Sequence, residues 1–122
     1  MLTFTETPAD VLHKLQTRST RDLLRDFMLT EHMRDRHIPT VRGWILDELE
    51  RRNPEAMEAW LSQEAPLDRQ LRTFYSFQAL ELPSGFWAVW HQNRGNLKME
   101  CLNAALISRQ EAIAEILRLA TA

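Results

Sequence analysis

The sequence has a single cysteine and little of what builds specialised scaffolds. Cys101 alone cannot form an intramolecular disulfide or a thiolate zinc site. Only three glycines and five prolines occur, which excludes collagen-like and flexible-linker compositions. No apolar run approaches the roughly 18 residues of a membrane span, and no secretory signal begins the chain. We therefore expect a cytoplasmic protein that binds no membrane, cofactor or metal.

What is present is the composition of a globular protein. Of 122 residues, 44% are hydrophobic and 26% are charged, which suits one domain. Fifteen basic residues stand against 17 acidic ones, so the net charge is −2. Binding to nucleic acid depends on neutralising phosphates, and we expect it to be weak here. Arginine outnumbers lysine 13 to 2, and arginine suits protein interfaces.

Helical periodicity and capping residues dominate the first half of the chain. Ser19 or Thr20 begins a second short helix, and Thr40 begins a third that contains Gly43. We expect Gly43 to allow another backbone to approach closely. The order Asn53-Pro54-Glu55 is typical of a helix start, and a fifth helix is expected from Pro66.

Strand periodicity follows Tyr75. We predict strands at 77–82, 86–92 and 97–103, and a capping box at Ser108-Arg109-Gln110-Glu111 that begins a last helix. The predicted fold is α+β: N-terminal short helices, then an antiparallel β-hairpin or three-stranded sheet packed under a C-terminal helix. One compact domain, 1–122, would contain a helical part, 1–65, and an αβββα-like part, 66–122.

The candidate site follows from which side of the predicted hairpin each side chain lies on. If Gln92 pairs with Leu97, an apolar face with Phe86, Ala88, Trp90, Leu97, Met99 and Cys101 lies under the last helix. The other face is mixed, and Trp87 on it would anchor a partner or pack against the N-terminal helices. The residues predicted to bind a partner lie on that face and in an arginine-rich stretch: Trp87, His91, Lys98, Glu100, Arg34, Arg36 and Arg42.

Catalytic signatures are missing from the sequence. His32 and His37 are five residues apart, so they would not share a helix face as metal ligands do. Asp47, Glu48 and Glu50 are interpreted as a solvated, salt-bridged helix face. We expect no catalytic residue, and the chain is not predicted to be an enzyme.

Two resemblances add to this interpretation. The element order of 66–120 is similar to that of a double-stranded-RNA-binding domain, but such domains carry a lysine cluster where this chain has Ser108-Arg109-Gln110-Glu111. The stretch from Pro39-Thr40-Val41-Arg42-Gly43-Trp44 to Ala59-Trp60-Leu61, about a fifth of the chain, resembles small phage- and plasmid-borne bacterial proteins.

The second resemblance implies a mobile-element setting. In that setting we expect a non-enzymatic binding protein that acts through a protein partner, such as an anti-CRISPR-like inhibitor of a host defence complex. The alternative is a nucleic-acid-binding accessory or regulatory protein.

Overall fold

The structure, a computed structural model, describes residues 8–92, 99–101 and 108–122. Short helices precede an antiparallel sheet, and a helix follows it, so the predicted α+β class is confirmed. The chain divides into two compact units between Arg52 and Asn53. This division lies earlier than the boundary near residue 65, because the helix that begins at Pro54 packs within the second unit.

In its described residues, 8–52, the first unit contains three helices, α1 (Pro8–Thr17), α2 (Thr20–Thr30) and α3 (Ile38–Arg52). Ser19 caps α2, since its hydroxyl accepts a hydrogen bond from the backbone N–H of Asp22 at 3.1 Å. Helix α3 contacts both α1 and α2. The buried apolar side chains come from all three helices: Val11, Leu15, Leu23, Leu24, Phe27, Ile38, Val41, Ile45 and Leu49.

Helix α3 begins at Ile38, two residues before the predicted start at Thr40. The backbone N–H of Ile38 donates to the carbonyl oxygen of Asp35 at 3.0 Å. Pro39 then falls in the first helical turn, where its missing N–H removes no helical hydrogen bond. The proline therefore lies inside the helix start, although the sequence pattern placed it in the preceding loop.

The second unit begins with α4 (Pro54–Leu61). Asn53 is its N-cap as predicted, and its side-chain oxygen accepts from the backbone N–H of Ala56 at 3.3 Å. The helix expected from Pro66 is reduced to a 3-10 turn at Asp68–Gln70 and the single-turn helix α5 (Leu71–Phe74). It cannot continue, because a strand begins three residues later.

That strand, β1 (Phe77–Glu81), pairs antiparallel with β2 (Trp87–Gln92). A short third strand, β3 (Met99–Cys101), pairs with the end of β2, with Gln92 opposite Met99 and Trp90 opposite Cys101. The predicted partner of Gln92 was Leu97, so that register is wrong by two residues. The segment predicted to connect the two strands, 93–96, lies outside the described residues. Of the predicted third strand, 97–103, the described residues cover only Met99–Cys101.

The last helix, α6 (Arg109–Ala120), begins where the capping residues predicted. The Ser108 hydroxyl accepts from the backbone N–H of Glu111 at 3.1 Å. Helix α6 contacts α4 and both β1 and β2. Its buried residues are Ala112, Ile113 and Ile116.

The two faces of the β1–β2 hairpin are distinguished by β1. Phe77 and Ala79 are buried while Gln78 and Leu80 are exposed. Since α6 contacts both strands and only this side of β1 is buried, we infer that α6 covers it. We call it the inner face: Phe77, Ala79, Glu81, Trp87, Val89 and His91. The other side is the outer face: Gln78, Leu80, Leu82, Phe86, Ala88 and Trp90.

The predicted orientation of the hairpin is therefore wrong. The face with Phe86, Ala88 and Trp90 was expected under the last helix, yet it is the outer face. Phe86 is 47% exposed and Trp90 is half-buried. The residues of β2 alone do not distinguish the faces, because both of its sides carry apolar side chains. The pairing with β1 identifies the buried side, because Val89 lies on the same side of the hairpin as the buried residues Phe77 and Ala79.

Candidate functional site

The outer face presents exposed apolar side chains. Leu80 is 44% exposed and Phe86 is 47% exposed. Leu80 lies opposite Ala88, and the backbone N–H of Leu82 donates to the carbonyl oxygen of Phe86 at 2.7 Å, so the pairing continues to the turn. All six side chains of the outer face are uncharged. Clustered exposed apolar groups of this kind mark interaction sites more often than single ones do.

A tight turn holds Phe86 in place. Gly85 has a φ of +88°, a left-handed conformation that glycine adopts without strain. Its N–H donates to the carbonyl oxygen of Leu82 at 2.9 Å, and the N–H of Phe86 donates to the Ser84 hydroxyl at 3.4 Å. These bonds fix the backbone beside the aromatic ring, which reduces the entropy that binding would cost.

Trp90 contributes a second aromatic group to the outer face. Its residue is half-buried, and its indole Nε1 is a buried donor that has no hydrogen-bond acceptor in the part of the chain that is described. Leaving such a donor unsatisfied costs about 1–3 kcal/mol. Tryptophan is also enriched among residues that dominate binding energy at interfaces. The outer face therefore combines exposed apolar area with a half-buried aromatic ring.

The hairpin residues predicted to bind a partner lie differently. Trp87 and His91 are on the inner face, and both are half-buried. The His91 ring lies 5.0 Å from the Phe77 ring, at an interplanar angle of 47°. His91 lies opposite Glu100. The predicted register, with Gln92 opposite Leu97, would have placed His91 opposite Lys98, and Lys98 itself lies outside the described residues.

The predicted arginine-rich stretch is divided by the fold. Arg34 and Arg36 are exposed on the segment between α2 and α3. Arg42 instead donates to the Thr30 hydroxyl at 2.8 Å and to the Phe27 carbonyl at 3.3 Å. Its guanidinium also lies 4.2 Å from the centre of the Phe27 ring. Arg42 thus connects α3 to α2, whereas Arg34 and Arg36 have exposed side chains.

The salt bridges predicted on the polar side of α3 form at Glu48, but the prediction that this residue is solvated is wrong. Glu48 is only 8% exposed, although it was interpreted as part of a solvated face. Its carboxylate accepts from Arg51 Nη2 at 2.6 Å and from Arg52 Nε at 2.9 Å. The hydrogen bond from Arg51, with the positive charge of both arginines, lowers the pKa of Glu48 although burial opposes this.

Arg52 extends this cluster to the other two helices of its unit. It donates to the Leu15 carbonyl near the end of α1 at 2.9 Å and to the Thr20 hydroxyl of α2 at 3.2 Å. The carboxylate of Glu48 balances the charge of this connection. The sequence spacing gives one indication of this cluster: Glu48 follows the apolar Ile45 by three residues and precedes Arg52 by four, which places all three on one side of the helix. We assign the cluster to stability.

Other site chemistry is sparse in residues 8–92, 99–101 and 108–122. Those residues hold no group of three or more His, Cys, Asp or Glu side chains that could bind a metal ion. His32 and His37 are both exposed, and Arg36 Nε donates to His37 Nε2 at 3.4 Å. Among the helices described, none has the length and apolar character to cross a bilayer.

Comparisons of the chain with protein-family models, with curated proteins and with solved structures found no significant match. The resemblance of residues 39–61 to phage- and plasmid-borne proteins thus stays a prediction.

Proposed function

We propose that this chain is a non-enzymatic, cytoplasmic binding protein that acts by contacting a protein partner through the outer face of its hairpin. The observation that carries the proposal is the joint exposure of Leu80 and Phe86 on one uncharged face. Such side chains lose unfavourable contact with water when a partner covers them.

The chemistry of the outer face favours a protein over a nucleic acid. Phosphate backbones are bound by lysine and arginine, and none of the six outer-face residues is charged. Protein interfaces, in contrast, use aromatic anchors at their centre and are depleted of charge there. Phe86 and Trp90 supply two such anchors on the same face, with Ala88 between them.

The inner face supports the site by holding it rigid. Val89 of β2, a strand that α6 contacts, is fully buried, and the neighbouring Ala88 on the outer face is also buried. A rigid sheet loses little conformational freedom when it binds. In this proposal Trp87 and His91, predicted as contact residues, position the outer face through packing.

The biological setting in this proposal comes from the sequence resemblance. A small protein of a phage or plasmid that binds another protein could act as an inhibitor of a host defence complex. Residues 39–61 carry that resemblance, and they lie mostly in α3 and α4. The outer face is proposed independently of this setting.

The test is partner capture from a lysate of a host bacterium, followed by quantitative mass spectrometry. We expect Leu80→Ser and Phe86→Ser to lose at least about tenfold of a captured protein, which corresponds to about 1.4 kcal/mol. Leu61→Ser is the matched control, because Leu61 is 55% exposed in the same unit but lies at the end of α4. It should capture as well as the parent.

Comparing capture by these variants shows which surface contacts the partner. Equal loss in Leu61→Ser and Leu80→Ser would show that general apolar exposure causes capture, which contradicts the proposed site. Loss in Arg34→Ala and Arg36→Ala, with Phe86→Ser unchanged, would move the contact to the segment between α2 and α3.

A nucleic-acid-binding role is the second candidate, and the exposure of Arg34 and Arg36 is the observation that favours it. Fluorescence anisotropy with labelled duplex DNA and duplex RNA at about 150 mM salt tests it directly. Sub-micromolar binding that Arg34→Ala and Arg36→Ala weaken would support this role over the protein-partner role.

A further inference from the structure

No further inference is drawn: the strongest candidate, the uncharged outer face of the β1–β2 hairpin with Leu80 and Phe86 at its surface, belongs to the site already described, and nothing in the structure shows which partner covers it.

Discussion

At the scale of single residues, two glycines differ in backbone conformation, since Gly43 is helical and Gly85 has a positive φ. Gly43 lies inside α3, where an added Cβ would meet no heavy atom within 4 Å, so the predicted close backbone approach is wrong. Glycine inside a helix costs about 0.5–1 kcal/mol relative to alanine. We expect Gly43→Ala to raise the free energy of unfolding by about that amount in urea denaturation.

Gly85→Ala provides the contrast for this measurement. Its φ of +88° strains any side chain, so the same substitution should destabilise the protein although space is open there too. Stabilisation at both positions would contradict the backbone argument.

Glu48 should make stability depend on pH. Its pKa is lowered in the folded protein, chiefly by the hydrogen bond from Arg51, relative to an ordinary value of 4.5. The stabilisation is therefore fully present above about pH 4.5 and is lost as the pH falls through the lower, folded pKa. We expect Glu48→Gln to be less stable than the parent at neutral pH, and the difference to shrink on acidification.

The measurement is urea denaturation at a series of pH values from about 7 down to about 3. A difference between parent and Glu48→Gln that stays constant over that range would contradict the assignment. Asp47→Gln is the control, because Asp47 is exposed on the same helix.

At the scale of elements, α6 is held against the sheet by few large side chains. Ile116 is fully buried, and replacing a buried isoleucine by alanine costs about 2–5 kcal/mol. We expect Ile116→Ala to lower the free energy of unfolding by that amount. Leu117→Ala, at a half-buried neighbouring position, should cost clearly less, and equal losses would argue against the described packing of α6.

Helices were predicted best where a cap and a periodic stripe coincide. Ser19, Asn53 and Ser108 each accept the backbone hydrogen bond that their position in the sequence indicates. These signals are local, so they can be identified without knowing the tertiary structure. The fifth helix lies in the segment predicted for it but is short, because a 3-10 turn at Asp68–Gln70 leads into the single turn Leu71–Phe74 and β1 begins at Phe77, where the strand pattern predicted it.

The sheet faces could not be predicted in the same way. Strand β2 has apolar residues on both sides, and Ala88 and Val89 are both buried. Only the alternation in β1 distinguishes the sides, and that information is tertiary because it depends on which strand pairs with β2. The candidate site inherited this error, because Phe86 was predicted to lie under the last helix and Trp87 to lie on the mixed face, where it would anchor a partner or pack against the N-terminal helices.

At the scale of the whole molecule, substitutions on the inner face should lower stability, and substitutions on the outer face should weaken partner binding. Trp87→Ala removes a half-buried ring from the inner face, so it should lower the melting temperature more than Phe86→Ala does. Thermal unfolding followed by circular dichroism measures both. A larger loss for Phe86→Ala would place Phe86 in the core and contradict the outer-face proposal.

Asn53 has a consequence for how the protein ages chemically. Its side-chain oxygen accepts from Ala56 while its Nδ2 donates to the Phe77 carbonyl at 2.9 Å, so one amide holds both α4 and β1. Deamidation to aspartate would keep the acceptor and remove the donor. That reaction commonly begins when the following backbone nitrogen attacks the side chain, and here the following residue is Pro54, which has no N–H. The residue that starts α4 therefore also protects the amide that joins this helix to the sheet from slow conversion during storage.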